Sequence, residues 1–410
     1  MTILRRVLRY ARGVLALDQA VGQIQEPRLR PQIAIHRIIL STLVMFLTRL
    51  GSLNALEQSA RAPFWHQWLG AGVPSPDTIA RVACQIDPEG PREALATVYD
   101  RLKRGKALDK LFGKVVAAAL DGHESHATYK RCCDGCLSRQ VQTKRGVQTQ
   151  YYHQYVTLQL IADSPIRLLL DAEPLRPGEG EVAAAKRLLD RVLQRFPRAF
   201  DVVLGDSLYA DGSFFQFVRQ RGKHVLTVLK QENRHLYQDA AGLWEHEQPQ
   251  VYAKSNGERR CWDFSGFTTW PQTEQPVRVI RCVDTTRRRQ QLDKEVVEDQ
   301  VEWVWVTTLP EQFLPTHSAV RLGQERWSVE NQGFNELVTR WYADHVYRHE
   351  ATAMLVFWLL TMLAHALFMA FYHRNLKPEV RRRLNTLEVV RQIVADLYSK
   401  HPPRCRSRSP

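Results

Sequence analysis

The fold of this chain is decided by the stretch DVVLGDSLYA, which spans residues 201–210. Residues 201–204 (DVVL) form the short apolar run of a buried β-strand, and a glycine and Asp206 follow it directly. Because α/β folds place reactive side chains in the loops where strands end, Asp206 is a candidate functional residue.

A second strand of the same kind ends in another aspartate. Residues 114–120 (KVVAAAL) form an apolar run that predicts a buried strand ending at Asp121, at the rim of the same sheet. Three other acids lie at or near predicted strand ends and compete for the same role: Glu124, Asp163 and Asp171. Their spacing excludes none of them, although a solvated strand terminus would account for each.

The pattern around these strands is typical of a mixed α/β unit. Further strands are predicted over residues 151–162, 167–171 and 224–229, and helices over residues 179–196 and 213–220. Three early strands followed by helix, strand, helix and strand predict a mixed sheet packed against helices.

The α/β alternation stops after residue 230. Residues 231–302 contain short alternating runs and turn residues without a long helical pattern, which predicts a β-rich insertion. A strand over residues 303–309 and a long helix over residues 323–341 follow it. Trp303 and Trp305 in that strand are expected in the core, although they could also stack on an unpaired base.

The two ends of the chain are helical and basic. Residues 1–110 have helical patterns, with Ser75 as a helix N-cap and Pro76 in the first turn, and residues 53–70 suit a helix-turn-helix-like unit. Residues 1–110 and 371–410 each carry a net charge of +7, which accounts for the whole formal charge of +14. This excess indicates either a polyanionic partner, a nucleic acid or an anionic membrane surface, or merely solubilising ends.

Composition narrows the class of protein. A hydrophobic content of 44% excludes a disordered or fibrous chain. Seven cysteines in 410 residues are too few for a disulfide framework, which favours a reducing compartment.

Glu330 stands out by its position on the predicted helix. At 100° per residue it lies within about 60° of the apolar side chains of the same helix, whereas Glu325 and Glu336 project to the solvent side. Arg326 lies one turn before Glu330. A carboxylate in an apolar stripe is costly unless it is paired or binds a metal, so the alternatives are an Arg326–Glu330 ion pair and a metal ligand.

Asp121, Asp206 and Glu330 together suit a pair of divalent metals. Hard carboxylate oxygens are the ligands that Mg²⁺ prefers, and two metals about 4 Å apart can activate an attacking oxygen and stabilise a leaving one. We therefore expect two Mg²⁺ ions, with Mn²⁺ as a substitute.

The three acidic motifs resemble those of a known family. LDGHE (120–124), VVLGDSLYA (202–210) and ERWSVENQGFNEL (325–337) are similar to the motifs of DDE transposases of bacterial insertion sequences, in the group with a β-rich insertion between the second Asp and the Glu. The resemblance covers about residues 111–375. It implies an α/β fold with a ribonuclease-H-like mixed-sheet core and the β-rich insertion, preceded by a helical N-terminal domain and followed by a helical C-terminal region.

The resemblance also implies a division of the chain and a reaction. The parts are a helical DNA-binding domain (1–110), two parts of the catalytic core (111–230 and 303–375), the insertion (231–302) and a basic tail (376–410). The implied reaction is Mg²⁺-dependent DNA cleavage and strand transfer at element ends.

Two positions depart from the family motif. In that group a Tyr and an Arg precede the Glu and a Lys follows it. Arg326 matches the Arg, but Gly323 and Leu337 occupy the other two positions. Arg340 is a candidate substitute for contacts to a terminal phosphate.

A basic run follows Asp121. We expect DNA phosphate contacts from Lys130, Arg131, Lys144 and Arg145, together with Arg326 and Arg340, although a solvated loop face would explain the run equally well. The same segment holds His123, His126, Cys133 and Cys136, whose spacing allows a structural Zn²⁺ site, with a loop of reduced thiols as the alternative.

The apolar stretch of residues 351–372 is long enough to span a membrane. Because its neighbours look globular and no second such stretch occurs, we expect a buried core helix and no membrane contact.

The expected function is that of an insertion-sequence transposase that acts on double-stranded DNA as a homodimer, in the cytoplasm at the bacterial nucleoid. The alternatives are a ribonuclease-H-like nuclease without strand transfer, an inactive domesticated DNA-binding protein and a membrane protein.

Overall fold

The N-terminal part of the protein is helical, as expected. The computed structural model describes residues 2–230, 234–289, 296–329 and 335–399. Its first helices are α1 (Ile3–Gly13), α2 (Leu17–Gly22), α3 (Ile35–Leu47), α4 (Leu53–Gln58), α5 (Pro63–Leu69), α6 (Pro76–Ala83) and α7 (Glu89–Arg104). The Ser75 cap is confirmed, because its Oγ accepts a hydrogen bond from the Thr78 N–H at 3.3 Å.

The α/β unit that follows contains the predicted strands and helices. Its elements are β1 (Ala117–Thr128), β2 (Leu137–Thr143), β3 (Gly146–Ile161), β4 (Leu168–Pro174), α8 (Glu181–Arg195), β5 (Val202–Gly205), α9 (Gly212–Arg219) and β6 (His224–Val228). Strand β2 was not predicted. Strand β1 does not end at Asp121 as predicted but continues to Thr128, because the long strand β3 remains paired with it.

Strand β1 lies at the centre of a mixed sheet. It pairs antiparallel with β3 and parallel with β5, and β5 pairs parallel with β6. The first half of β3 pairs with β2 and its second half with β4. The order β4–β3–β1–β5–β6 is the mixed-sheet core of the expected fold class.

The insertion continues this sheet. Its elements are α10 (Arg234–Trp244), β7 (Gln250–Lys254), β8 (Gly257–Phe267), β9 (Val277–Arg289) and β10 (Val296–Thr307). The strands confirm a β-rich insertion, but helix α10 contradicts the expectation that it holds no long helix. Strand β10 begins before residue 303, where a strand was predicted, and pairs with both β6 and β9. The core and the insertion therefore share one sheet.

The C-terminal region is helical. Its helices are α11 (Thr316–Val329), α12 (Asn335–Trp341), α13 (Ala351–Ala370), α14 (Pro378–Arg383) and α15 (Thr386–Tyr398). Helix α11 starts seven residues before the predicted start at Gly323. Helix α15 packs against α1 at the opposite end of the chain, where the Leu4 N–H donates to Asp396 Oδ2 at 2.9 Å.

Helix α13 runs through the middle of the core. The helical segment Ala351–Asn375 is the only candidate membrane span among the described residues, with a mean hydropathy of 2.1, but 94% of its most apolar window is buried. Helices α3 and α7 and strand β4 pack around α13. Protein covers this helix, as expected of a core helix.

Candidate active site

Asp121 and Asp206 lie at the same level, just past the last residue pair between the parallel strands β1 and β5. Ala119 of β1 pairs with Leu204 of β5, so the two aspartates follow two residues later on each strand. Neighbouring strands lie about 4.8 Å apart. Asp206 is further fixed because its Oδ1 accepts the Leu208 N–H at 2.8 Å.

A third carboxylate, that of Glu181, reaches the same place. Glu181 is the first residue of α8 and is half-buried. The Tyr209 hydroxyl donates to its Oε1 at 2.7 Å, and Gln154 Nε2 donates to its Oε2 at 2.9 Å. These two hydrogen bonds hold the carboxylate beside β1 and β5.

The electrostatics show that the acids share one site. Burial raises the pKa of Glu181, and the charge of Asp206 adds to this effect. Burial also raises the pKa of Tyr209 well above its usual value, with further contributions from Glu181, Asp206 and Asp121. Negative charge therefore accumulates where β1 and β5 separate, which favours a bound cation.

Two glycines of the acidic motifs make room for this arrangement. A Cβ atom at Gly122 would overlap with Glu181 Oε2, and one at Gly205 would lie 2.8 Å from Tyr209 Cδ2. The residue after the first aspartate and the residue before the second must therefore be small.

Sequence reasoning missed Glu181. An acidic residue in the first turn of a helix ordinarily complements the helix dipole, so its type and position gave no reason to single it out. The feature that distinguishes Glu181 is its hydrogen bond with Tyr209, three residues after Asp206. This contact is visible only in the folded structure.

The competing acids have other roles. Asp171 is buried and accepts Arg92 Nε at 3.0 Å and Arg191 Nε at 2.7 Å. Glu124 forms a two-pronged ion pair with Arg139, at 2.7 Å for each oxygen. Asp163 is exposed and lies past the N-terminal end of β1, at the end of the strands opposite to Asp121.

Glu330 lies outside the described residues, so its place in the site remains a prediction. Helix α11 leads towards it and carries Arg326, which is buried. Glu336 contradicts its predicted solvent position: it is half-buried, and the nearby charge of Arg49 partly offsets the rise that burial causes in its pKa. A projection of one helix could not anticipate Arg49, which lies far away in the sequence.

The two departures from the family motif have packing reasons. A Cβ atom at Gly323 would lie 2.5 Å from the indole nitrogen of Trp305, so a tyrosine would collide with this buried ring. Leu337 is fully buried. Trp305 is thus a core residue, as expected, and Trp303 stacks on it with ring centroids 6.0 Å apart.

The predicted DNA-contacting residues are mostly exposed. Lys130 and Arg131 follow β1, and Lys144 and Arg145 form the turn between β2 and β3. Both pairs lie beyond the C-terminal end of β1. Arg340 is exposed on α12. Their contacts with DNA remain predictions.

The predicted set of zinc ligands is corrected by the fold. His123 Nε2 lies 2.6 Å from Asp344 Oδ1, and its ring stacks on Trp358, so it is engaged away from the cysteines. His126 is also absent from the group of converging ligand atoms. Cys133 and Cys136 do converge, but with two other histidines, His153 and His349.

The chain matches the model of one known family. A family model described as the transposase DDE domain matches residues 118–367, which is more than half of the chain. The protein therefore belongs to the transposase DDE domain family. No curated protein matches the chain. The matched region contains the central sheet, the insertion and all three motif acids, and it leaves out the N-terminal helices.

Proposed function

We propose that this protein is the transposase of a bacterial insertion sequence, which binds the terminal inverted repeats and catalyses cleavage and strand transfer. The observation that carries the proposal is the pair of aspartates at one level, two residues past the last pair between the parallel strands β1 and β5, with Glu181 beside them, inside the region matched by the family model. Family membership supports a transposase-type activity on DNA.

The residues fit a divalent metal. Oxygen donors of the kind that Mg²⁺ and Mn²⁺ prefer meet where β1 and β5 separate, and burial, together with the charge of Asp206, raises the pKa of Glu181. Asp121, Asp206 and Glu330 would hold two such ions. When bound, the metals would supply charge neutralisation for in-line displacement at a phosphodiester.

The remaining chemistry falls to the protein's own side chains. The Leu208 N–H and the adjacent strand orient Asp206. Basic side chains after β1 and in the β2–β3 turn would position the DNA backbone, and Arg326 and Arg340 would neutralise phosphates near the Glu. Two element ends must be joined to one target, so we expect a homodimer on DNA at the nucleoid.

The test uses the inverted repeats that flank the reading frame. Labelled duplexes with these ends are incubated with the full-length protein and Mg²⁺, and cleavage and strand joining are followed separately. We expect Asp206→Ala and Glu330→Gln to abolish both reactions. Asp163→Ala is the matched control, because this exposed aspartate lies at the opposite end of the strands. It should retain both cleavage and strand joining.

The outcomes separate the alternatives. Cleavage without joining would identify a nuclease, and specific binding without cleavage would identify an inactive DNA-binding protein. Full activity of Asp206→Ala would overturn the proposed site.

A further inference from the structure

Four side chains from three separate parts of the chain point their metal-binding atoms at one another. Cys133 and Cys136 lie in the loop between β1 and β2, His153 lies on β3, and His349 lies just before α13. The two sulfur atoms and one nitrogen of each histidine all lie within 4.8 Å of one another.

The distances match a tetrahedral zinc site. The Sγ atoms of Cys133 and Cys136 are 3.7 Å apart, His153 Nε2 is 3.3 Å from each sulfur, and His349 Nε2 is 3.4 Å from Cys136 Sγ. Zinc–sulfur bonds of about 2.3 Å and zinc–nitrogen bonds of about 2.0 Å in a tetrahedron place two sulfurs about 3.8 Å apart and sulfur and nitrogen about 3.5 Å apart. The empty space between the four atoms is thus close to the size of one Zn²⁺ ion.

The surroundings hold this geometry without the metal. The Cys136 N–H donates to the Cys133 carbonyl at 3.0 Å, and the Cys133 N–H donates to Cys136 Sγ at 3.3 Å. Gly135 lets the turn approach α13, since a Cβ atom there would lie 2.8 Å from the Cβ of Ala351. The cysteine turn is therefore seated against both histidines.

The surroundings of the two histidines disfavour the charged form of each ring. Burial lowers the pKa of His153 to about 4 and also lowers the pKa of His349. An imidazole binds zinc in its neutral form, through a nitrogen lone pair.

We propose that Cys133, Cys136, His153 and His349 bind one Zn²⁺ ion in a structural site. Four protein ligands leave no open position, which is typical of structural rather than catalytic zinc. The ion would link the antiparallel strand pair β1 and β3, of which β1 carries Asp121, to the start of the central helix α13. This role is independent of the proposed DNA chemistry.

The first experiment measures metal content in the purified full-length protein. We expect about one zinc per chain, falling below about 0.2 in Cys136→Ser. Cys132→Ser is the matched control, because this neighbouring cysteine is exposed and lies outside the four-ligand group, and it should keep the zinc. Equal loss in Cys132→Ser, or a metal-free wild type, would overturn the proposal.

A second experiment covers the case in which Cys136→Ser does not fold. His349→Cys should still bind one metal, because it changes two-thiolate ligation to three-thiolate ligation, whereas His349→Ala should bind weakly. Replacement of zinc by Co²⁺ makes this visible, since the thiolate-to-cobalt absorption should increase by about half in His349→Cys. An unchanged cobalt spectrum in this variant, or a disulfide between Cys133 and Cys136 in the freshly purified protein, would contradict the site.

Discussion

Gly122 determines the shape of the acidic site because it has no side chain. Gly122 follows Asp121 on strand β1, and the Glu181 carboxylate occupies the space that a Cβ atom of residue 122 would fill. The third carboxylate can therefore lie against the strand that carries the first. A methyl group at this position would force the Glu181 carboxylate to move away from β1.

Gly122→Ala is expected to lower DNA cleavage by roughly 10- to 100-fold, because the added methyl group displaces Glu181 and disturbs the geometry beside Asp121. The measurement is the rate of cleavage of element-end DNA at saturating Mg²⁺, alongside a thermal unfolding curve that verifies folding.

The control is Gly242→Ala on α10, where a Cβ atom meets nothing within 4 Å. It should retain the wild-type rate. A Gly122→Ala protein with the wild-type rate would show that the position of Glu181 does not matter for the reaction.

Single residues were predictable where their role follows from local pattern. Asp121 and Asp206 follow apolar runs that predict buried strands, so their positions just after the apolar part of each strand are encoded within ten residues. His153 and His349 lie 17 and 213 residues from Cys136. A spacing motif pairs cysteines with nearby histidines and chose His123 and His126 instead, because convergence of distant segments is a property of the sheet.

At the scale of single elements, helix α13 contains a buried histidine. Its His365 is buried, and neither ring nitrogen has a hydrogen-bond partner among the residues that the structure describes. Burial lowers the pKa of His365 to about 3, and the positive charges of Arg49 and His373 lower it further. The ring lies edge-on to Trp341, with centroids 5.4 Å apart.

We expect His365→Leu to make the protein less sensitive to acid. The folded-state pKa lies below the unfolded value of about 6.5, so the unfolded chain takes up the proton first and stability falls as the pH decreases below about 6.5. Between pH 7 and pH 5 the wild type should lose about 2 kcal/mol more unfolding free energy than the variant. Urea unfolding at each pH measures this difference.

Replacement of the exposed His66 on α5 by glutamine is the control, because it removes a histidine without touching the core. If His66→Gln and His365→Leu change the pH dependence equally, burial of His365 is not the cause.

The elements differ in how well periodicity encodes them. The α/β alternation from β3 to β6 was predictable because each element buries its own apolar face. The full length of β1 was not, because residues after Asp121 are polar and stay in the strand only through their pairing with β3. The early start of β10 has the same cause, since its polar first half pairs with β9.

At the scale of the whole molecule, the N-terminal and C-terminal segments of the chain, both of which are basic, contact each other. Helix α15 packs on α1, and Arg6 Nη2 contacts Asn375 Oδ1 at 3.4 Å. The basic residues of α1 therefore lie close to the start of the C-terminal basic segment. Sequence alone could show the amount of charge at each end but not that the ends are neighbours.

The double variant Arg382→Gln/Arg383→Gln tests this surface. Both residues are exposed on α14, and the slope of log K against log salt concentration for binding duplex DNA should decrease by up to about 1.8, or 0.9 for each lost phosphate contact. Fluorescence anisotropy at several NaCl concentrations gives the slope.

Arg260→Gln/Arg287→Gln removes the same formal charge from exposed positions on β8 and β9, outside both basic ends of the chain, and is the matched control. Its slope should equal that of the wild type. An unchanged slope in the α14 variant would exclude this surface from DNA binding.

Strand β10 has a consequence for how such proteins can change length during evolution. Its last three residues complete the core sheet beside β6, and the whole strand pairs residue by residue with β9. A single inserted or deleted residue within it would turn the side chains that follow to the opposite face of the sheet, Trp305 included. Changes in length are tolerable only at the distal turns, such as residues 255–256 between β7 and β8, where no core strand depends on the register.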